Sequence, residues 1–133
     1  MTEKELFVKL CENWVAMANH NVVNARQSLE AGHRKLQADY DLTVAGLEHT
    51  LKEAQIRKKN QALGTKVVDK QLADENIAHA KRALYLGKLK AKVDFDKGYN
   101  ELKLELERCM LHKKTEESFL QFAQSENERG FSL

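Results

Sequence analysis

The chain has 133 residues, of which 32% are charged and 42% hydrophobic, with a formal net charge of +2 and no proline. Its length fits one domain or one short elongated element. No apolar run approaches the roughly 18 residues of a membrane span, and two cysteines are too few for a secreted disulfide framework. Because charged residues directly follow Met1 and Thr2, no signal peptide is expected.

The apolar residues predict an all-α fold of two long helices. From about residue 3 to about residue 61, apolar positions recur at spacings of three and four, as on one face of a helix. Gly64 suits a left-handed helix cap, so a turn is expected there. A second helix is predicted over about 66–124. Residues 125–133 lack periodicity and are expected to form a loose C-terminal tail.

The two predicted helices are related in sequence. The segment 18–59 aligns with 73–114 without gaps, and twelve of the aligned pairs are identical. Composition alone would give roughly three or four matches. The excess indicates an internal duplication, so the two halves are expected to pack in similar ways.

Two architectures fit this pattern, and we favour a long antiparallel hairpin that resembles a coiled coil. Each of its helices would be about 87 Å long at 1.5 Å per residue. The alternative is a four-helix bundle, which needs a turn inside each repeat, for example at Gly32 and Gly87. Both glycines lie on the apolar seam, however, where a small residue lets another helix come close. They are therefore predicted to be sites of close helix contact.

The second helix carries a further apolar stripe beside its seam, wider than one neighbouring helix can cover. Trp14 falls on the seam of the first helix, where it is expected either to be buried or to anchor in a partner's pocket. Two phenylalanines near the open end of the hairpin suggest anchors of the same kind. The candidate partner-binding residues are Trp14, Leu86, Leu89, Val93, Leu104, Leu111, Phe119 and Phe122.

No motif predicts catalysis, a cofactor site or a small-molecule substrate. The carboxylates alternate with lysines at helical spacing, which is typical of a solvated face with ion pairs. If the chain turns at Gly64, His20 would lie near Cys109 and His112, and these side chains could bind zinc. We favour the simpler interpretation, a buried thiol and surface histidines, so no metal site is predicted.

Positive charge is concentrated around the expected turn. Residues 57–92 hold ten basic and three acidic residues, a charge of +7, whereas 1–56 carries −2 and 93–133 carries −3. In a hairpin this charge gathers at the closed end, which we call the basic end. Its candidate partner-binding residues are Arg57, Lys58, Lys59, Lys66, Lys70, Lys81, Arg82 and Lys88.

These features favour a non-enzymatic structural or scaffold subunit that docks through long helices into a larger protein assembly or filament. The partner would be other protein chains, in a homo-oligomer or a hetero-complex, for example a cytoskeletal filament. An intracellular location, cytoplasmic or cytoskeleton-associated, is expected. The alternative is a binding module for an anionic membrane surface or nucleic acid; nucleic acid is disfavoured because Tyr85 is the only aromatic residue of the basic span. A metal-binding helical bundle is a third hypothesis.

Overall fold

The computed structural model describes the backbone of residues 2–61 and 66–129, and the side chains up to residue 125. Two α-helices make up this part of the chain, α1 (Glu3–Lys59) and α2 (Val67–Arg129). Both run without interruption through their repeat glycines, Gly32 and Gly87. The all-α antiparallel hairpin is therefore confirmed, and the four-helix alternative is wrong. The turn predicted at Gly64 lies outside the described residues.

Local capping fixes the start of α1. The Glu5 amide donates a hydrogen bond to Thr2 Oγ1 (3.2 Å), and the Thr2 amide donates to Glu5 Oε2 (3.3 Å). This reciprocal capping box satisfies amides that the first turn leaves without partners. At the other end of α1, the last turn holds Arg57, Lys58 and Lys59. Their positive charges are attracted to the partial negative charge at the C-terminal end of the helix dipole.

The C-terminal end of α2 differs from the prediction. α2 continues to Arg129, so residues 125–129 are helical where a loose tail was predicted. Loss of apolar periodicity does not itself end a helix, because Glu and Arg remain good helix formers. The next glycine in the sequence is Gly130. Residues 130–133 lie outside the described part of the chain.

Contacts divide the chain into two units. Unit 1 combines Met1–His33 with Tyr99–Leu133, and unit 2 is Arg34–Gly98. Within each unit a segment of α1 packs against an antiparallel segment of α2. In unit 2, for example, Leu36 approaches Gly98 while Leu47 approaches Gly87.

The buried apolar positions are occupied by small or medium side chains. Five lie in unit 1 and one in unit 2. Among the described residues they are Cys11, Ala18, Val22, Ala25, Ala80 and Ala123. Side chains of this size let two helices pack at the short end of the usual interaxial range, about 8 Å.

Glycines extend this seam of small residues. In unit 1 Gly32 receives the side chain of Leu102, and in unit 2 Gly87 receives the side chain of Leu47. A Cβ atom at either glycine would overlap the leucine Cδ1. The repeat alignment relates the two glycines to each other and also the two leucines, so the same contact occurs once in each unit.

The glycine contacts also set the helix register. The pairs Gly32–Leu102, Leu36–Gly98 and Leu47–Gly87 share a midpoint at position 67. A turn centred on Gly64 would place the midpoint three positions earlier in the chain. With the midpoint at position 67, His20 lies level with Lys114 and Cys109 lies level with Ala25, so the register moves Cys109 away from His20.

We predict that Gly87→Leu lowers the free energy of unfolding by about 1–3 kcal/mol, because the new side chain must displace Leu47 from a packed seam. Gly46 provides a matched control in α1, since a Cβ atom there would meet nothing within 4 Å. Gly46→Leu should be neutral or stabilising, by up to about 1 kcal/mol, through helix propensity. Urea unfolding monitored by circular dichroism measures both. Equal effects of the two substitutions would contradict the close-contact assignment.

Candidate docking stripe and basic end

In the described residues, no group of three or more His, Cys, Asp or Glu side chains is arranged to hold a metal ion. His49 and His112 each lie beside a glutamate one turn away, Glu53 (3.0 Å) and Glu116 (3.3 Å). These are helix-surface pairs of the kind that alternating charges predict.

Both cysteines are free thiols, Cys11 buried and Cys109 half-buried. Cys11 is buried in the unit 1 seam, and burial, followed by the charge of Glu116, raises the pKa of its thiol. The pKa of the Cys109 thiol is also raised, first by desolvation and then by the neighbouring Glu105 carboxylate. A raised pKa disfavours the thiolate, which is the nucleophilic and metal-binding form. In both cases the neutral thiol is the favoured form.

The most prominent feature of the surface is a row of large apolar side chains along α2. We call it the apolar stripe, and every member is exposed, from 50% for Leu89 to 66% for Leu111. At 100° per residue its members lie within about 120° of one another and well away from the seam. The stripe comprises Leu86, Leu89 and Val93 in unit 2 and Leu104, Leu111, Phe119 and Phe122 in unit 1.

Trp14 is 42% exposed, so it is not a buried seam residue. Its ring is too large for a seam closed by Cys11 and Ala18, which are almost completely buried. It belongs instead to a second exposed group, which we call the α1 patch. This patch comprises Leu6, Leu10, Trp14 and Met17.

The α1 patch and the unit 1 part of the apolar stripe lie on the same side of unit 1. Relative to its own seam, the average direction of each set is displaced in the same rotational sense, by roughly 90–140°. When two antiparallel helices pack together, side chains that are rotated away from the seam in the same sense about their own helix axes lie on the same side of the helix pair. His33 and Tyr99, whose rings are 5.1 Å apart across the helices, are displaced in the opposite sense. The α1 patch and the unit 1 part of the apolar stripe thus share one side of unit 1.

Sequence reasoning found the α2 members of this side but missed Leu6, Leu10 and Met17. The signal was present, because their separations of four and seven positions place them on one helix face. The single seam predicted for α1 did not include them.

At the basic end all eight predicted residues are exposed. Two of them form ion pairs between the helices of unit 2, Lys58 with Asp74 and Lys88 with Glu48 (3.6 Å). Such exposed pairs contribute at most about 1 kcal/mol. The other six form no ion pair within the described residues: Arg57, Lys59, Lys66, Lys70, Lys81 and Arg82.

The charge difference also separates the two units. Unit 2 contains fourteen basic and nine acidic residues, a net charge of +5. Unit 1 contains eight basic and eleven acidic residues, a net charge of −3. The small overall charge of +2 therefore conceals two regions of opposite sign.

Comparisons with known proteins do not assign this hairpin to a family. No protein-family model matches the sequence, and neither the curated proteins nor the solved structures gave a significant match. In the described part of the chain, no helix is both long enough and apolar enough to cross a bilayer.

We predict that Leu111→Gln changes the free energy of unfolding of the dilute chain by no more than about 0.5 kcal/mol, because its side chain is already exposed. Val22→Asn is the contrasting variant, since it places an amide in a position that is 3% exposed. Val22→Asn should lower the free energy of unfolding by about 1–3 kcal/mol or more if the amide finds no hydrogen-bond partner. Thermal and urea unfolding measure both. A large loss of stability in Leu111→Gln would mean that the apolar stripe packs within the hairpin.

Proposed function

We propose that this protein is a non-enzymatic structural subunit that docks through its long helices into a larger protein assembly or filament. The observation that supports the proposal is the set of large apolar side chains that lies outside the seam. The seam holds alanines, glycines and the leucines that fill the glycine sites, while the leucines, phenylalanines and tryptophan of the apolar stripe and the α1 patch face outward. Extended exposed apolar surface is typical of a protein interaction site.

The energetics support docking of these surfaces. Full burial of a Leu or Phe side chain is worth about 1.5–3 kcal/mol. The stripe residues are about half exposed, so each would contribute about 1 kcal/mol more when a partner covers it. Several such side chains in a row contribute more binding free energy than any single exposed ion pair of the chain could supply.

A rod-like partner fits the stripe better than a small ligand does. An apolar row along a helix face is complementary to another helix, whose side chains can interdigitate with it turn by turn. Small-molecule sites, in contrast, are concave and enclose most of the ligand. The intracellular or cytoskeleton-associated location expected from the sequence belongs to the same proposal.

We predict that three stripe substitutions, Leu104→Gln, Leu111→Gln and Phe122→Gln, release the protein from its assembly without changing its helicity. The matched control is Val23→Gln, Tyr85→Gln and Met110→Gln, which removes three exposed apolar side chains that lie off the stripe. Tagged full-length chains would be expressed in their native cells, and particle size in extracts measured by sedimentation velocity.

Wild type and control should sediment as particles much larger than the 15.3 kDa chain, whereas the stripe variant should sediment at the size of the isolated chain. Circular dichroism of the purified variants checks that all three remain helical. The proposal is wrong if wild type itself sediments at the size of the isolated chain.

A second candidate function is binding of an anionic partner through the basic end. It is favoured by the six exposed cationic side chains there that form no ion pair in the described residues. Clustered positive charge attracts an acidic surface over about one Debye length, roughly 8 Å at physiological salt. Anionic lipid and the acidic surface of a protein filament share this chemistry.

We predict that the charge reversals Arg57→Glu, Lys59→Glu, Lys81→Glu and Arg82→Glu abolish salt-sensitive binding to vesicles containing phosphatidylserine, while helicity is retained. Lys58 is left unchanged because it pairs with Asp74. A control of equal charge change uses exposed cations outside the basic end: Lys9→Glu, Arg26→Glu, Lys35→Glu and Lys97→Glu. If both variants bind as wild type does in vesicle co-sedimentation, the basic end is only a solvated surface.

A further inference from the structure

We propose that a second copy of this chain covers the exposed apolar surface of unit 1, with Trp14 of each copy seated in a hollow that Phe119 and Phe122 of the other copy line. This inference rests on the proposed docking function and names the partner of one part of the docking surface. We call that part the unit 1 patch. It comprises Leu6, Leu10, Trp14, Met17, Phe119 and Phe122.

The helix register makes the unit 1 patch continuous. The buried residues Cys11 and Ala123 share the midpoint at position 67 that the glycine contacts define. Phe119 and Phe122 are therefore level with positions 15 and 12 of α1, inside the span of the α1 patch. At 100° per residue they turn away from their seam by roughly 70–130°, in the same sense as the α1 patch does. The six side chains thus form one surface, about 16 Å long at 1.5 Å per residue.

One part of this surface is a hollow on α2 with a volume of about 350 Å³. Its lining consists of Thr115, Ser118, Phe119 and Phe122. Both hydroxyl groups are already bonded within the helix, because Thr115 Oγ1 donates to the Leu111 carbonyl (3.1 Å) and Ser118 Oγ donates to the Lys114 carbonyl (3.0 Å). The hollow therefore offers phenylalanine rings rather than free hydroxyl hydrogens, which suits an apolar group better than a polar ligand.

Trp14 supplies such a group at the matching level. It is 42% exposed, and the midpoint at position 67 places it level with position 120 of α2, within the span of the hollow. A two-fold axis parallel to the helices brings α1 of each copy beside α2 of the other copy, antiparallel and at the same level. Each Trp14 then meets the hollow of the other copy, so one rotation makes both contacts. Tryptophan is enriched among the residues that fill pockets at interface centres.

The area and charge of the patch are consistent with a second copy as the occupant. Its side chains are exposed from 42% for Trp14 to 65% for Met17. With roughly 100 Å² available on each, the six present roughly 600 Å² per copy, which is most of the 800 Å² or so per partner that specific interfaces bury. The polar residues within the patch, Asn13, Thr115 and Ser118, are uncharged. Two identical patches therefore meet without like-charge repulsion between these groups.

Sedimentation equilibrium and tryptophan fluorescence of the purified full chain test this contact. Trp14 is the only tryptophan of the sequence, so its emission reports whether the proposed anchor becomes buried. The variants are Trp14→Lys and Phe119→Asp, measured separately and then mixed. The matched controls are Val23→Lys and Met110→Asp, because both residues are exposed and lie on the opposite side of the same unit. Circular dichroism checks that all four variants remain helical.

We expect a dimer of twice 15.3 kDa, with the emission of Trp14 moving to shorter wavelength as the dimer forms. Trp14→Lys and Phe119→Asp should each weaken dimerisation by at least about tenfold, whereas the controls should not. An equimolar mixture of the two variants should dimerise more tightly than either variant alone. The mixed dimer keeps one native contact and brings the introduced lysine to the introduced aspartate. This recovery requires α1 of one copy to face α2 of the other.

A monomeric mass at every concentration would overturn the inference, and so would a dimer that both variants leave unchanged. A mixture that dimerises no better than the separate variants would also overturn it, because Trp14 would then not meet the hollow. Failure of the proposed function is a different result. A monomeric purified chain that still enters a large, stripe-dependent particle in extracts leaves the docking function in place. A dimer that joins no larger particle contradicts only the docking function.

Discussion

The close approach of α1 and α2 is the constraint on which the rest of the structure depends. Ala18, Ala25 and Ala123 are buried in unit 1, and Gly32 and Gly87 leave room for leucines from the opposite helix. A seam of this kind has good van der Waals contact but little volume. Large apolar side chains fit in it where a glycine faces them, as Leu102 and Leu47 do, and those of the apolar stripe and the α1 patch lie outside it.

The gapless alignment of residues 18–59 with 73–114 accounts for the two occurrences of this contact. In two related helices packed antiparallel, a contact from the first repeat to the second has a counterpart from the second to the first. Gly32–Leu102 and Gly87–Leu47 are such counterparts, one in each unit. Each repeat therefore carries both a glycine site and the leucine that fills one, which makes the packing surface self-complementary.

The sequence predicted the two helices and the role of the repeat glycines, because these depend on helical periodicity and on the exclusion of Cβ atoms. It did not predict the register, since Gly64 was taken as the midpoint, whereas the glycine–leucine contacts place it at position 67. The exposure of Trp14 was left open because spacing alone does not reveal how narrow a seam is. The end of α2 was missed because charged residues continue a helix after its apolar pattern stops.

The exposed position of the apolar stripe and the α1 patch separates the residues that fold the hairpin from those available for a partner. Burying an alanine methyl group is worth about 0.8 kcal/mol, so the fold gains its stability from many such contacts along the seam together with the leucines that fill the glycine sites. The stripe contributes little to that sum while it is exposed. It would contribute about 1 kcal/mol per side chain when covered. Its residues can therefore change to fit a partner without unfolding the chain, whereas Gly32, Gly87 and the buried alanines cannot. In a hairpin whose only apolar residues lay between its helices, the same side chains would both stabilise the fold and bind the partner. Each substitution that weakened docking would then also lower the free energy of unfolding.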